Sequence, residues 1–325
     1  MTRNQRLLGG LLLVQLLVLL VLARPWAGRA ATPDRPLLPA LGSVTPERLE
    51  IDDGQGGSVS LERAAGSWTL ASPKGYPVSA GRVEKLVQDL ERVTVGRPIA
   101  TSPAHHAALK VADTEFERHV RLWSGAGATP DADVFLGTPA GPAGIHVRAG
   151  GKSAVYEASG LNAYDLPADA ASWIERALVP VPPAEVIGLA VTNRKGAFTL
   201  EKRAGIWKVT TPAARAGASL DSTKVVALLG TLGALTISEP VGTLDELAQG
   251  FATPEAVIRL DQAPGAPGTG GTAVGGSLTL RIGSAPPGKD NLRYATRSGF
   301  PWAVTVGEAG ADRALNVTLA ELVSK

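Results

Sequence analysis

The sequence contains no cysteine. Disulfides, thiolate metal sites, a cysteine nucleophile and a lipoprotein attachment cysteine are thereby excluded together, and the absence is compatible with an oxidising compartment. Catalytic signatures are missing as well. No Gly-x-Ser-x-Gly elbow and no His-Glu-x-x-His occurs, and no acidic pair is marked out for acid–base work. A basic face is also lacking. The formal net charge is +2, yet residues 1–29 hold Arg3, Arg6, Arg24 and Arg29 and no acid. The remainder therefore carries 28 basic residues (32 less 4) against 30 acidic ones. Nucleic acid requires clustered Lys and Arg against phosphates, so it is disfavoured as a partner. With 38 Gly and 24 Pro in 325 residues the chain is loop-rich but short of the level that predicts disorder. Its length allows two domains of ordinary size.

What the chain does have is one pattern used twice. Leu61-Glu62-Arg63-Ala64-Ala65-Gly66-Ser67-Trp68-Thr69-Leu70 returns as Leu200-Glu201-Lys202-Arg203-Ala204-Gly205-Ile206-Trp207-Lys208-Val209, offset by 139 residues (207 less 68). Each copy predicts a strand, a Gly-containing tight turn and a return strand bearing an indole. A helix stripe follows in each. Val83, Leu86, Val87 and Leu90 fall at i, i+3, i+4 and i+7, and Val225, Leu228, Leu229 and Leu232 repeat them at an offset of 142 (225 less 83). The step from 139 to 142 places a three-residue insertion in the loop before the second helix, where insertions are tolerated. A period this long fits a duplicated domain and not a solenoid.

In chain order, residues 1–23 predict a membrane anchor, since Leu7–Ala23 is an unbroken non-ionic run of about 25 Å as helix. The alternative is a signal peptide cut after Ala30, giving a secreted protein that begins near Ala31. Residues 24–44, with Pro25, Pro33, Pro36 and Pro39, predict a semi-stiff tether. The first repeat spans 45–179. It opens on the strand Arg48–Ile51 and the doubled hairpin, then takes Ser79 as N-cap of the helix, a short helix at 104–109, a strand over 115–123, further strands, and a helix over 167–178. Residues 180–185 are a Pro-rich linker, and the second repeat covers 186–325 and ends in a helix over 311–323. The predicted class is α+β, an anchor followed by two homologous domains, each an antiparallel sheet with two or three helices.

Few residues suggest chemistry. Asp113, Glu115, Glu117 and His119 alternate, so on one strand face three carboxylates and an imidazole could hold a hard cation; a solvated face opposite Phe116, Val120 and Leu122 is the plainer reading. His105 and His106 are adjacent and diverge on a helix. Gly151-Lys152-Ser153 lacks the upstream glycine of a phosphate loop and predicts a hairpin turn. The stretch 268–273 loosely fits a dinucleotide fingerprint but sits inside a glycine-rich loop with no helix after it. Trp68 and Trp207 read as repeat-core aromatics. No catalytic residue, metal site, cofactor or small-molecule ligand is expected.

The anchor, the Arg48–Ile51 strand, the paired Leu-Glu-(Arg/Lys)…Gly-x-Trp hairpins and the helix after each resemble a bacterial family known as domain of unknown function 4340, over nearly all the chain beyond the tether. Proteins of this kind are often encoded beside ABC-transporter subunits similar to those of gliding-motility systems. The resemblance implies a single-pass protein of the bacterial inner membrane, its bulk in the periplasm, serving membrane partners of an ABC-type complex as a non-catalytic accessory or scaffold subunit. It carries over no catalytic residue. The competing expectation is an envelope enzyme or a cation-dependent glycan binder that uses Asp113–His119.

Overall fold

The doubled hairpin forms for a local reason. Ala65 and Gly66 adopt φ of 49° and 85°, and Ala204 and Gly205 adopt 50° and 82°. Positive φ at both central residues gives the two-residue turn whose twist matches its flanking strands. The computed structural model describes residues 34–216, 218–263 and 276–324, together with 14, 15 and 18.

Strands dominate. The first lobe contains β1 (Arg35–Pro36), β2 (Arg48–Asp53), β3 (Ser58–Ala64), β4 (Ser67–Leu70), β5 (Thr94–Val95), β6 (Arg118–Trp123), β7 (Ala132–Ala140), β8 (Gly144–Ala149) and β9 (Val155–Ser159). The second contains β10 (Val186–Asn193), β11 (Gly196–Arg203), β12 (Ile206–Thr211), β13 (Ile237–Thr243), β14 (Ala256–Gln262), β15 (Ser277–Ile282), β16 (Leu292–Arg297) and β17 (Trp302–Gly307). The α-helices among the described residues are α1 (Arg82–Glu91), α2 (Ser222–Gly233), α3 (Glu308–Asn316) and α4 (Leu319–Leu322).

The two main sheets follow one path. The seven-stranded sheet runs β4-β3-β2-β6-β7-β8-β9, and the eight-stranded sheet runs β12-β11-β10-β14-β15-β16-β17 with β13 added at its edge. The registers match too. Leu49 lies between Leu61 and Leu122 in the first sheet, and Leu189 lies between Leu200 and Leu260 in the second. All six are buried, at roughly 1.5–3 kcal/mol each. The peptide bonds before Pro73 and Pro212 are both cis. Gly137 and Gly283 share a further role: a Cβ would stand 2.0 Å from the Leu109 carbonyl oxygen in one and 2.1 Å from that of Gln249 in the other. Only glycine lets each crossover loop approach its sheet so closely.

One hydrophobic core runs through both lobes. Trp68 and Trp207 are buried in it, and so are Leu49 and Leu189, Leu90 and Leu232. Across the junction Tyr76 meets Phe300 edge-on, with ring centres 5.9 Å apart, and Trp302 at 5.3 Å. Backbone pairing adds to the contact. Leu178 N–H donates to Leu235 O, Ile237 N–H donates to Arg176 O, and Ala177 bridges Thr236.

Several expected elements take other forms. Helix 104–109 shrinks to a 3-10 turn at Pro103–His105, and helix 167–178 to one at Ala170–Trp173. In the second case the following residues leave the helix because Arg176, Ala177 and Leu178 bond the second lobe, which outweighs local helix propensity. The first lobe thus has α1 as its one α-helix among the described residues, fewer than expected. Helix α1 is capped by Gly81 and not by Ser79, whose N–H instead donates to Trp173 O. The helix expected over 311–323 is two, α3 and α4, with Val317 and Thr318 extended or non-helical between them. Tether residues from Asp34 onward belong to the lobe, since Leu37, Leu38 and Leu41 are buried in the core. Val181, in the Pro-rich linker, is buried there as well. Among the described residues no helix is long and apolar enough to cross a membrane; the 7–23 run lies outside them except for Val14, Gln15 and Val18.

Candidate functional site

The alternating acidic stretch does not become a strand face. Strand β6 begins at Arg118, so of the four candidates only His119 lies on it, while Asp113, Glu115 and Glu117 belong to the approach loop. Gly54 accounts for the turn: a Cβ there would meet the Phe116 carbonyl oxygen at 2.1 Å, so the loop is pinned down just before β6. Phe116 consequently sits with Val111, Phe135 and Val155 in a small second cluster, away from Val120 and Leu122 in the main core.

Separate partners hold three of the four candidates. Asp113 Oδ1 accepts from Arg148 Nη2 at 2.5 Å. Glu115 accepts from Lys110 Nζ at 2.8 Å, and that hydrogen bond raises the Lys110 ammonium above its ordinary value. His119 Nε2 meets Asp133 Oδ1 at 2.8 Å, and its ring stacks on Phe135 at 3.9 Å. Glu117 lies elsewhere, on the wall of a cleft. Among the described residues, no group of three or more His, Asp or Glu is arranged to hold a metal ion.

The remaining polar candidates have structural places. Arg148 is 2% exposed. Its Nε donates to Val111 O, its Nη1 to Lys152 O, and its guanidinium lies 4.3 Å from the Phe135 ring centre. His106 Nε2 is 2.9 Å from Ser153 O, and His146 Nδ1 is 2.9 Å from Thr138 Oγ1. Lys152 follows the tight turn of the β8–β9 hairpin, its N–H donating to Ala149 O. The stretch 268–273 lies outside the described residues.

Concave surface collects at one place in the first lobe. Two clefts flank the β7–β8 turn and share Pro142, Ala143 and Gly144. One, of about 590 Å³, is lined by Glu117, Pro139, Ile145, Leu161, Tyr164 and Asp165 among others. The other, of about 620 Å³, includes Asp34, Arg97, Ile99, Ala140, Glu157 and Ser159. Two exposed apolar side chains belong to them, Tyr164 at 87% and Ile99 at 49%. Neither was legible beforehand. Nothing in the spacing of residues 141–143 or of Tyr164 marks them as the wall of a cleft.

The lining holds Asp, Glu, Arg and Ser159, with no His beside that Ser among the lining residues. In comparison with known proteins, the family model described as Domain of unknown function (DUF4340) aligns with residues 68–251, more than half of the chain, crossing from one lobe into the other. No curated protein and no solved structure matches.

Proposed function

The chain belongs to the domain of unknown function 4340 family, and we propose that it is a non-catalytic brace, held at the bacterial inner membrane by residues 7–23, with its bulk outside the cytoplasm. In this reading its partners are the membrane subunits of an ABC-type transporter, and its lobes are two copies of one ancestral domain. The observation that carries it is the single core through both lobes. Active sites and ligand clamps commonly lie where domains close on one another; here that junction is filled by Tyr76, Phe300 and Trp302. Arg148 and His106 also support it, because Arg148 donates to Val111 O and Lys152 O and His106 meets Ser153 O, all three carbonyls lying outside the main strands.

Affinity purification of the full chain from detergent-solubilised native membranes is the test. The expected result is co-purification of transporter permease or ATPase subunits in fixed ratio. Recovery of the protein alone, or from the soluble periplasmic fraction with a mature terminus near Ala31, would contradict the proposal.

A further inference from the structure

We propose that the two clefts beside the β7–β8 turn form one docking groove for an extended peptide segment of a membrane-bound partner, apolar and carrying Lys or Arg. This rests on the membrane-brace reading and names the surface that such a brace would use.

The two lobes differ at this edge. In the second, β13 runs along β17 from Ile237 opposite Val306 to Thr243 opposite Trp302. The bridge of Gly242 to Ala303 has its counterpart in Ala100 to Val155, offset by 142 on one strand (242 less 100) and 148 on the other (303 less 155). Ile99 N–H and Ala100 O bond Val155 O and N–H, each at 2.8 Å. There the resemblance stops. Thr94 and Val95 pair with Pro36 and Arg35, and Glu157 has no counterpart of the Glu239–Thr305 pairing.

An unfinished edge results. Antiparallel strands turn their backbone groups to alternate sides, so Glu157 and Ser159 aim N–H and C=O the same way as Val155. Among the described residues neither has a backbone partner on that side. Extended peptides complete such edges through main-chain hydrogen bonds, with side chains received in flanking pockets. The cleft holding Glu157 and Ser159 and its neighbour across Pro142 supply those pockets.

Charge and position select the occupant. The lining carries carboxylates from Asp34, Glu117, Glu157 and Asp165 against guanidiniums from Arg97 and Arg118. Arg118 donates to Leu166 O at 2.7 Å and Glu117 O at 2.6 Å and keeps its charge, so the carboxylates exceed the guanidiniums by four to two. An acidic groove with Tyr164 and Ile99 exposed along it favours a basic, apolar strand. Asp34 follows Ala23 by eleven residues (34 less 23), a reach of at most about 40 Å. With residues 7–23 in the bilayer, the groove is therefore within range of the extracytoplasmic loops of a membrane-embedded partner.

Two experiments on the full chain test this. A photo-crosslinking residue at position 164, in native membranes, should give an adduct with a co-purifying membrane subunit, and the same residue at exposed position 226 should not. Glu157→Lys with Asp165→Lys should cut that adduct roughly fivefold or more while leaving the thermal unfolding midpoint in place. In detergent, an extended decapeptide of alternating Leu and Lys should slow amide exchange at Glu157 and Ser159, and its Leu–Glu counterpart should not. An adduct unaffected by charge reversal, adducts to lipid alone, or equal action of both peptides or of neither would overturn the groove. Transporter subunits that still co-purify with the charge-reversed chain and never crosslink from 164 would reject the groove and leave the brace standing. If no subunit co-purifies, the brace fails and the peptide comparison alone judges the groove.

Discussion

Trp173→Ala should destabilise the protein by about 3–5 kcal/mol. Trp173 is fully buried and heads the largest side chains that are. Its indole N–H donates to Pro167 O at 2.9 Å, its own carbonyl accepts from Ser79 N–H at 2.7 Å, and the Arg82 guanidinium lies 5.0 Å from its ring centre. The side chain thus ties the 3-10 turn Ala170–Trp173 to the start of α1 in the shared core. Removing it opens a cavity there and leaves a carbonyl without its donor. Trp173→Phe restores most of the volume but not the hydrogen bond, so it should cost less, about 1–3 kcal/mol. Urea unfolding followed by circular dichroism measures both; a loss under about 1 kcal/mol for the Ala variant would remove Trp173 from its assigned place.

Tyr76 should be sensitive to one substitution and tolerant of another. It is 2% exposed, its ring contacts Phe300 and Trp302 of the other lobe, and its hydroxyl has no hydrogen-bond partner among the described residues. Tyr76→Ala deletes the ring and should cost about 3–5 kcal/mol. Tyr76→Phe removes only an unpaired buried hydroxyl, so at neutral pH it should lie within about 1 kcal/mol of the native chain. Alkaline pH separates the two proteins further. Burial pushes the Tyr76 phenol well above its ordinary value of 10.0, and the Arg297 charge pulls it back only in part. A pKa raised on folding stabilises the fold fully below the unfolded value and ceases to do so as pH rises toward the folded one. Native stability should therefore decline above about pH 10, and Tyr76→Phe should flatten that decline. Identical alkaline limbs would show that the phenol is not buried at the junction.

The parts legible in the sequence are those fixed within a few residues of themselves. The Ala-Gly turns fix both hairpins, and the 3.6-residue spacing of Val83, Leu86 and Leu90 fixes α1. Elements decided at a distance were not legible. Residues 174–178 carry a helix-compatible pattern and are nevertheless non-helical, because Leu178 and Arg176 bond the chain at Leu235 and Ile237 some sixty residues on. Alternation from Asp113 to His119 likewise suggested one strand face. The close approach of Phe116 to Gly54 ends the strand at Arg118, a contact that no local spacing encodes. The clefts were hidden for a related reason. The cleft at Glu157 and Ser159 arises where the first lobe fails to repeat the β13–β17 pairing of the second, and that difference is visible only when the two registers are laid side by side.

A brace must move as one body, and the shared core makes that a thermodynamic claim. Differential scanning calorimetry of the full chain in detergent measures it most directly. A single transition whose calorimetric and van't Hoff enthalpies agree is the predicted result. Two separable transitions, or a calorimetric enthalpy about twice the van't Hoff value, would show lobes that unfold independently and would contradict the account.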